Sequence, residues 1–149
     1  YIGIFWLKKD RLKGLLKYEP LLIKPNDDEI KEIFGKEIKD EESLKEVLTY
    51  LHDLGAQNIL LTMGEKGLYF SNNEKIWYCD APKVELVSSA CSGDSCLAAF
   101  LSEWLSGNDI ENALKKASAT GANVAESMGI GDLKKVQKYM ESLNIKEVV

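Results

Sequence analysis

Cysteine and histidine are scarce in this 149-residue chain, which contains three cysteines and one histidine. The cysteines are Cys79, Cys91 and Cys96, an odd number without C-x-x-C spacing. Such a set favours neither a zinc site nor a disulfide framework. We therefore expect a reducing, cytoplasmic setting.

Long apolar runs and an excess of positive charge are also absent. The apolar opening, Tyr1 to Leu7, is far shorter than the roughly 20 residues that span a bilayer, and it lacks the basic start of a signal peptide. It has no initiator methionine, so we expect the chain to begin inside a longer product. The 19 basic and 24 acidic residues are mixed along the chain, which does not indicate a nucleic-acid-binding surface.

Short apolar segments alternate with amphipathic ones along the whole chain. Strands that alternate with helices predict one α/β domain over residues 1–149, with a mostly parallel sheet sandwiched by helices. The predicted strands are 1–6, 21–24, 58–62, 68–70, 76–78, 84–88 and 145–149. The predicted helices are 8–17, 27–34, 41–54, 94–105, 111–127 and a last one after Asp132.

Periodicity predicts which face of each helix is buried. In the 41–54 helix the apolar stripe consists of Leu44, Val47, Leu48, Leu51 and Leu54. His52 lies off that stripe, and we interpret it as a surface residue rather than a catalytic one. The predicted inward residues of the later helices are Leu97, Leu101, Trp104 and Leu105, then a small face of Ala113, Ala117, Gly121 and Ala125, then Leu133, Val136, Met140 and Leu143.

The most informative segment, Ser89–Ser95, places small residues between a predicted strand and a predicted helix, with Asp94 at the helix start. Backbone N–H groups at a helix start lack intrahelical partners and can bind an anion. An aspartate there repels a phosphate, but it could act as a base that takes a proton from an attacking hydroxyl. The alternative is that Asp94 only caps the helix, and the pattern alone does not decide between the two.

Two further segments have both a chemical and a purely structural interpretation. Thr62–Gly67 has two glycines in a tight loop after a strand, where a nucleotide could approach the main chain; an ordinary turn explains it as well. It is neither G-x-G-x-x-G nor a Walker loop.

Lys24–Glu29 places an amide and a carboxylate three residues apart, which could order water around Mg²⁺ or simply cap a helix. Cys91, beside the proposed anion site, could be a reactive thiol, although packing is the preferred interpretation.

In this order, the segments resemble the ribokinase-like (phosphofructokinase B) carbohydrate kinases. The matching residues are Asn26 and Glu29 of an N-x-x-E element, Thr62, Gly64 and Gly67 of a [ST]-x-G-x-x-G loop, and Ser92, Gly93 and Asp94 of a G-[AS]-G-D signature. The Lys24-Pro25-Asn26 form and Met128–Gly131 look most like the tagatose-6-phosphate kinase and 1-phosphofructokinase branch. The resemblance covers roughly residues 20 to 149.

The resemblance implies phosphoryl transfer from Mg·ATP to a hydroxyl of a sugar phosphate. Asp94 would be the general base, and the amides around Ser92, Gly93 and Asp94, with Cys91 beside them, would form the anion hole. Thr62 to Gly67 and Asn123 would line the adenosine site, and Lys24 would lie near the nucleotide phosphates. Asn26 and Glu29 would hold Mg²⁺ through water.

Three departures from the family pattern keep alternatives open. Cys91 replaces the first glycine of the signature, Phe5–Asp10 lacks an expected Asp-x-Ser-like element, and full members are about twice as long, with the sugar site in the absent amino-terminal half. We therefore consider a catalytic fragment, a degenerate nucleotide-binding or interaction module without kinase activity, and an unrelated α/β domain. For a fragment, we expect self-association or pairing with the missing half, since a severed sheet exposes apolar surface.

Overall fold

The computed structural model describes residues 9–149, and it contains six α-helices, one short 3-10 helix (Gly64–Lys66) and four strands within that range. The helices are α1 (Lys9–Leu16), α2 (Asp27–Phe34), α3 (Glu41–Asp53), α4 (Ser92–Trp104), α5 (Ile110–Ala125) and α6 (Leu133–Ser142). The strands are β1 (Ile59–Thr62), β2 (Leu68–Ser71), β3 (Ile76–Cys79) and β4 (Ile145–Val148). The predicted α/β class is confirmed, although the described elements run as three α-helices, three strands, three α-helices and a last strand rather than in strict alternation. The strand predicted at 1–6 lies outside the described residues. None of the described helices is long and apolar enough to cross a membrane.

The described residues form two compact units in terms of their internal contacts. The first takes in the described chain up to Met63, with Tyr69–Ile76 and Val148–Val149. The second takes in Gly64–Leu68 and Trp77–Glu147. The single domain expected for residues 1–149 stays a prediction.

The core of the first unit is built on the apolar stripe of α3. Leu44, Val47, Leu48 and Leu51 are at most 2% exposed, as the periodicity predicted, and burying one such leucine contributes roughly 2 kcal/mol of transfer free energy. The helix begins at a capping box, in which Asp40 accepts from the Ser43 N–H at 2.8 Å. Leu54, predicted on the same stripe, is only partly buried.

The four strands form one sheet in the order β1-β2-β3-β4. The segment before α2 runs parallel to β1, through bridges between Ile23 and Ile59 and between Asn26 and Thr62. The connections 63–67 and 72–75 are too short for a parallel crossover, which takes about a dozen residues, so β1–β2 and β2–β3 are hairpins. The parallel pairing that the sequence predicts is thus found where the 23–26 segment meets β1.

Helices α4 and α5 pack closely in the second unit because both carry small side chains. A Cβ atom placed on Gly121 would lie 3.3 Å from Cys96 Cβ and 3.4 Å from Ser92 O, so α5 meets the first turns of α4 at this point. The predicted small face of α5 is confirmed. The predicted buried face of α4 was wrong: Cys96, Ala99 and Phe100 are buried, while Leu105 is 54% exposed. The small face of α5 packs against the side of α4 on which the small residues of α4 lie.

The strand predicted at 84–88 is absent. The N–H groups of Val87 and Ser88 donate instead to the carbonyl of Ala125, at 2.9 and 3.0 Å. A strand requires a neighbouring strand for its hydrogen bonds, and the described chain provides none to this segment. Leu86 is 69% exposed and Val87 is 48% exposed.

Two smaller predictions about exposure were also wrong. His52 is half-buried, and both of its ring nitrogens have hydrogen-bond partners: Nδ1 lies 2.7 Å from the carbonyl of Ala56 and Nε2 lies 2.8 Å from Ser71 Oγ. Leu133 is 75% exposed, although Val136 and Leu143 on the same predicted face are buried. Leu133 occupies the first position of α6, before the helix begins to cover the core.

Candidate functional site

In the first unit, the Lys24–Glu29 segment and Thr62 lie at the ends of neighbouring parallel segments. The side chain of Asn26 accepts from the Glu29 N–H at 2.7 Å, and Glu29 Oε2 accepts from the Asn26 N–H at 2.9 Å. This reciprocal pair is a capping box, so the helix-cap interpretation is confirmed. Because the box engages Oε2 of Glu29, Oε1 is the atom that could face a hydrated cation.

Thr62 is held beside this segment by the backbone. Its N–H donates to the carbonyl of Pro25 at 3.1 Å, and it bridges Asn26 across the parallel pair. The structure therefore brings the Lys24–Glu29 segment beside Thr62, two segments that the sequence proposed separately. Carboxyl ends of neighbouring parallel strands are where α/β proteins bind ligands.

No group of three or more His, Cys, Asp or Glu side chains converges on a possible metal position within residues 9–149. A cage built from protein ligands is therefore not found in that range. The arrangement that fits these residues is Mg²⁺ held mainly by phosphate oxygens and water, since this ion loses its water reluctantly. Glu29 would act on the ion through water.

In the second unit, the loop from Gly64 to Gly67 is a tight turn fixed against β3. Its first three residues form a 3-10 turn, closed by a 3.1 Å bond from the Gly67 N–H to the Gly64 carbonyl. Gly67 has φ 94°, and a Cβ there would lie 2.2 Å from the carbonyl oxygen of Cys79. Only glycine fits this position. The Tyr78 hydroxyl donates to the Lys66 carbonyl at 2.9 Å, a contact that the sequence did not reveal.

The start of α4 presents the residues of the proposed anion hole. Cys91 is the N-cap, without a side-chain capping bond, and the helix runs from Ser92. The Ser92 N–H makes a long bond of 3.4 Å to the carbonyl of Ser89, which leaves Gly93 and Asp94 as the amides that helix geometry provides for an anion. Asp94 is exposed and does not cap the helix, so its carboxylate is accessible to a ligand.

Cys91 has φ 62° and ψ −1°, in the left-handed region. The positive φ that would make a cysteine unfavourable here is thus present, and a non-glycine residue in this conformation is destabilised by about 1–2 kcal/mol. The thiol is exposed at this position. In contrast, Cys79 and Cys96 are buried, as predicted, and burial raises the pKa of the Cys79 thiol to about 12.

We expect Cys91→Gly to stabilise the chain by about 1 kcal/mol, because glycine adopts this backbone conformation without steric penalty. Urea unfolding followed by circular dichroism measures the change. Asn73, at φ 72°, provides the matched control: asparagine tolerates this region, so Asn73→Gly should gain less. Equal gains at the two positions would contradict the assignment of strain to Cys91.

Asn123 on α5 is the most deeply buried polar side chain of the candidate site, at 1% exposure. Its Oδ1 accepts from the Asp132 N–H at 3.2 Å, while its Nδ2 has no hydrogen-bond partner. A buried amide without a partner is destabilising by about 1–3 kcal/mol, and a bound ligand could remove this penalty. Gly131 packs against Asn123, and a Cβ on Gly131 would lie 2.7 Å from Asn123 Nδ2. In the sequence, the only indication of this contact was a glycine directly before the Asp132 cap.

A comparison with known proteins gives a consistent picture. The family model of pfkB family carbohydrate kinases matches residues 2–136. The chain is 48% identical over 134 residues to D-tagatose-1-phosphate kinase of Klebsiella oxytoca, covering 90% of this chain and 44% of that protein. It is 27% identical over 138 residues to 1-phosphofructokinase of Borreliella burgdorferi, covering 92% of this chain and 45% of that protein. The chain thus spans less than half the length of these relatives.

Solved structures show the same fold. Ribokinase of Arabidopsis thaliana, in a complex with ribose and ATP, superposes with a TM-score of 0.76 at 24% identity, over 87% of this chain and 43% of that chain. The predicted ribokinase-like α/β fold is therefore confirmed, as a partial domain.

Proposed function

This chain belongs to the pfkB family of carbohydrate kinases, and from that membership we propose that it is the nucleotide-binding and catalytic-base portion of a sugar-phosphate kinase. The observation that carries the proposal is the start of α4, where an exposed carboxylate stands beside amides that have no partners within the helix. A base and an anion site on the same helical turn are what phosphoryl transfer requires.

Asp94 is proposed to accept the proton of the sugar hydroxyl. The hydroxyl oxygen then forms a bond to the γ-phosphorus of ATP while the bond to the departing ADP oxygen breaks. The N–H groups of Gly93 and Asp94 are directed along the helix axis toward the oxygens that gain negative charge. Cys91 and Ser92 form the turn that leads into these amides, and Ser92 Oγ is anchored to the Ser89 carbonyl at 3.0 Å.

We assign the adenosine to Thr62, Gly64, Gly67 and Asn123, and the nucleotide phosphates to Lys24. The unpartnered Nδ2 of Asn123 supports this assignment because a purine or ribose acceptor would complete its hydrogen bonding. Asn26 and Glu29 are proposed to orient water around Mg²⁺. When bound, this ion supplies charge neutralisation for the transferred phosphoryl group.

For the acceptor we favour a ketohexose 1-phosphate. The sequence suggested tagatose 6-phosphate or fructose 1-phosphate, whereas the relative that is 48% identical is named for D-tagatose 1-phosphate. A 1-phosphofructokinase is also among the relatives. Both names describe a ketohexose that already carries a phosphate at carbon 1.

We propose that the sugar-binding portion is provided by chain outside these 149 residues, and that the 149-residue chain on its own self-associates. The exposed side chains of Leu86 and Val87, on an irregular segment without a strand partner, support pairing of this kind. The reaction is proposed to take place in the cytoplasm, where an exposed thiol such as Cys91 stays reduced.

The test is calorimetric titration of this chain with Mg·ATP or a non-hydrolysable analogue, beside a Gly93→Asp variant. We expect the chain to bind in the micromolar to millimolar range. The variant should bind at least about tenfold more weakly, because a carboxylate at the anion site repels the phosphates.

The matched control is Gly107→Asp, which places the same charge on an exposed glycine of the α4–α5 turn; Gly107 also has φ 77°, so it carries a comparable or greater conformational penalty. Binding that survives in both variants would contradict the anion site. Absence of binding in the unmodified chain would favour the second candidate in its interaction-module form, a degenerate domain without a working nucleotide site, for which the strained Cys91 in place of a glycine is the specific observation.

A further inference from the structure

The phenol of Tyr78 and the nucleotide loop form a contact that no motif of the chain predicts. Tyr78 lies on β3, and its hydroxyl donates to the carbonyl of Lys66 at 2.9 Å. Lys66 lies between the two glycines of the loop. We propose that Tyr78 is a positioning residue that holds this loop in its binding conformation before nucleotide arrives; this inference rests on the proposed nucleotide site.

The contact controls one particular peptide group. The bond between Lys66 and Gly67 is planar, so its carbonyl and its N–H are oriented together. Tyr78 holds the carbonyl, and the Gly64 carbonyl accepts from the N–H of Gly67 at 3.1 Å. With both ends of the peptide plane bonded, the loop cannot turn this plane without breaking both hydrogen bonds.

The packing of Gly67 on the strand gives the same conclusion independently. A Cβ on Gly67 would lie 2.2 Å from the carbonyl of Cys79 and 3.0 Å from Asp80 Cα. The loop therefore rests directly on the backbone that follows Tyr78. Glycine has the widest range of allowed backbone conformations, so the hydroxyl of Tyr78 restrains a peptide group that the residue type alone leaves free to rotate.

The ring of Tyr78 is itself held in place by β4. Lys146 Nζ lies 5.4 Å from the ring centroid, within the range of a cation–π interaction. Because Lys146 on the neighbouring strand already holds the ring, the hydroxyl loses no further conformational freedom when it donates to the loop. The ring can therefore hold the loop in place. Preorganisation of this kind improves affinity by lowering the ordering cost of binding.

The experiment compares Tyr78→Phe with Tyr18→Phe, in which the same hydroxyl is removed from a tyrosine that is 70% exposed. Two quantities are measured for each: hydrogen exchange of the 64–68 amides without ligand, and the dissociation constant for Mg·ATP by calorimetry. For Tyr78→Phe we expect faster exchange in 64–68 and a dissociation constant raised about two- to fivefold, as loss of one modest hydrogen bond implies. Saturating Mg·ATP should restore slow exchange. Tyr18→Phe should leave both quantities unchanged.

The failure of this inference is distinguishable from failure of the proposed function. If the unmodified chain does not bind Mg·ATP, the nucleotide site is wrong and the inference falls with it. If the chain binds but Tyr78→Phe leaves exchange or affinity unchanged, the nucleotide site stands and the positioning role is overturned. A fall in thermal stability alone, with an unaltered dissociation constant, also overturns it.

Discussion

Asp94→Asn should lower the turnover of sugar phosphate by about 10²- to 10⁴-fold, the range that a general base contributes. Asparagine matches aspartate in size but cannot accept the hydroxyl proton at neutral pH. The dissociation constant for Mg·ATP should change by no more than about twofold, because the amides of α4 are backbone groups. The measurement is steady-state kinetics and calorimetry in the length of the protein that turns over the substrate.

Asp109→Asn is the control for this prediction. Asp109 is the N-cap of α5, and like Asp94 it lies at a helix start without making a side-chain capping bond. The two substitutions therefore remove the same charge from comparable positions. Near-normal turnover in Asp94→Asn would contradict the assignment of Asp94 as the base. An equal loss in Asp109→Asn would show that helix-end charge rather than proton abstraction explains the effect.

Gly67→Ala should destabilise the chain by roughly 3 kcal/mol, the sum of a left-handed conformation and a clash of the new Cβ with the backbone. That atom would lie 2.2 Å from the Cys79 carbonyl, and a backbone oxygen cannot move aside as a side chain can. The measurement is the midpoint of urea unfolding, interpreted together with its slope.

Gly64→Ala separates the two contributions. Gly64 also has a positive φ, of 57°, but a Cβ there would meet nothing within 4 Å. We expect it to destabilise by about 1 kcal/mol, from the backbone conformation alone. Equal losses in the two variants would show that the loop does not rest on β3, and the inference about Tyr78 would then lose its second support.

The features predicted correctly are those in which the sequence holds both partners within one turn of helix. Asn26 and Glu29 are three residues apart, so a capping box follows from their spacing alone. The stripe of α3 is predicted for the same reason, since periodicity within one helix carries the information. The start of α4 was found because small residues and an acid are adjacent in the chain.

The features missed depend on partners that are distant in the chain. The 84–88 segment has strand composition, yet its amides bond to Ala125 because the described residues offer it no neighbouring strand. The buried face of α4 is selected by Gly121 on another helix. Asn123 was proposed by resemblance to the family. The absence of a hydrogen-bond partner for its Nδ2 could not be predicted, because it is determined by the way Gly131 and Asp132 pack against α5.

The single histidine of the chain joins the end of α3 to β2. A carbonyl oxygen can only accept, so the proton of a neutral His52 ring is on Nδ1, facing Ala56, while Nε2 accepts from the Ser71 hydroxyl. In a nitrogen-15 NMR spectrum this ring gives the only imidazole signals of the chain. Their chemical shifts report the tautomer directly, so one resonance pair monitors the integrity of the first unit while variants of α4 or α5 are studied.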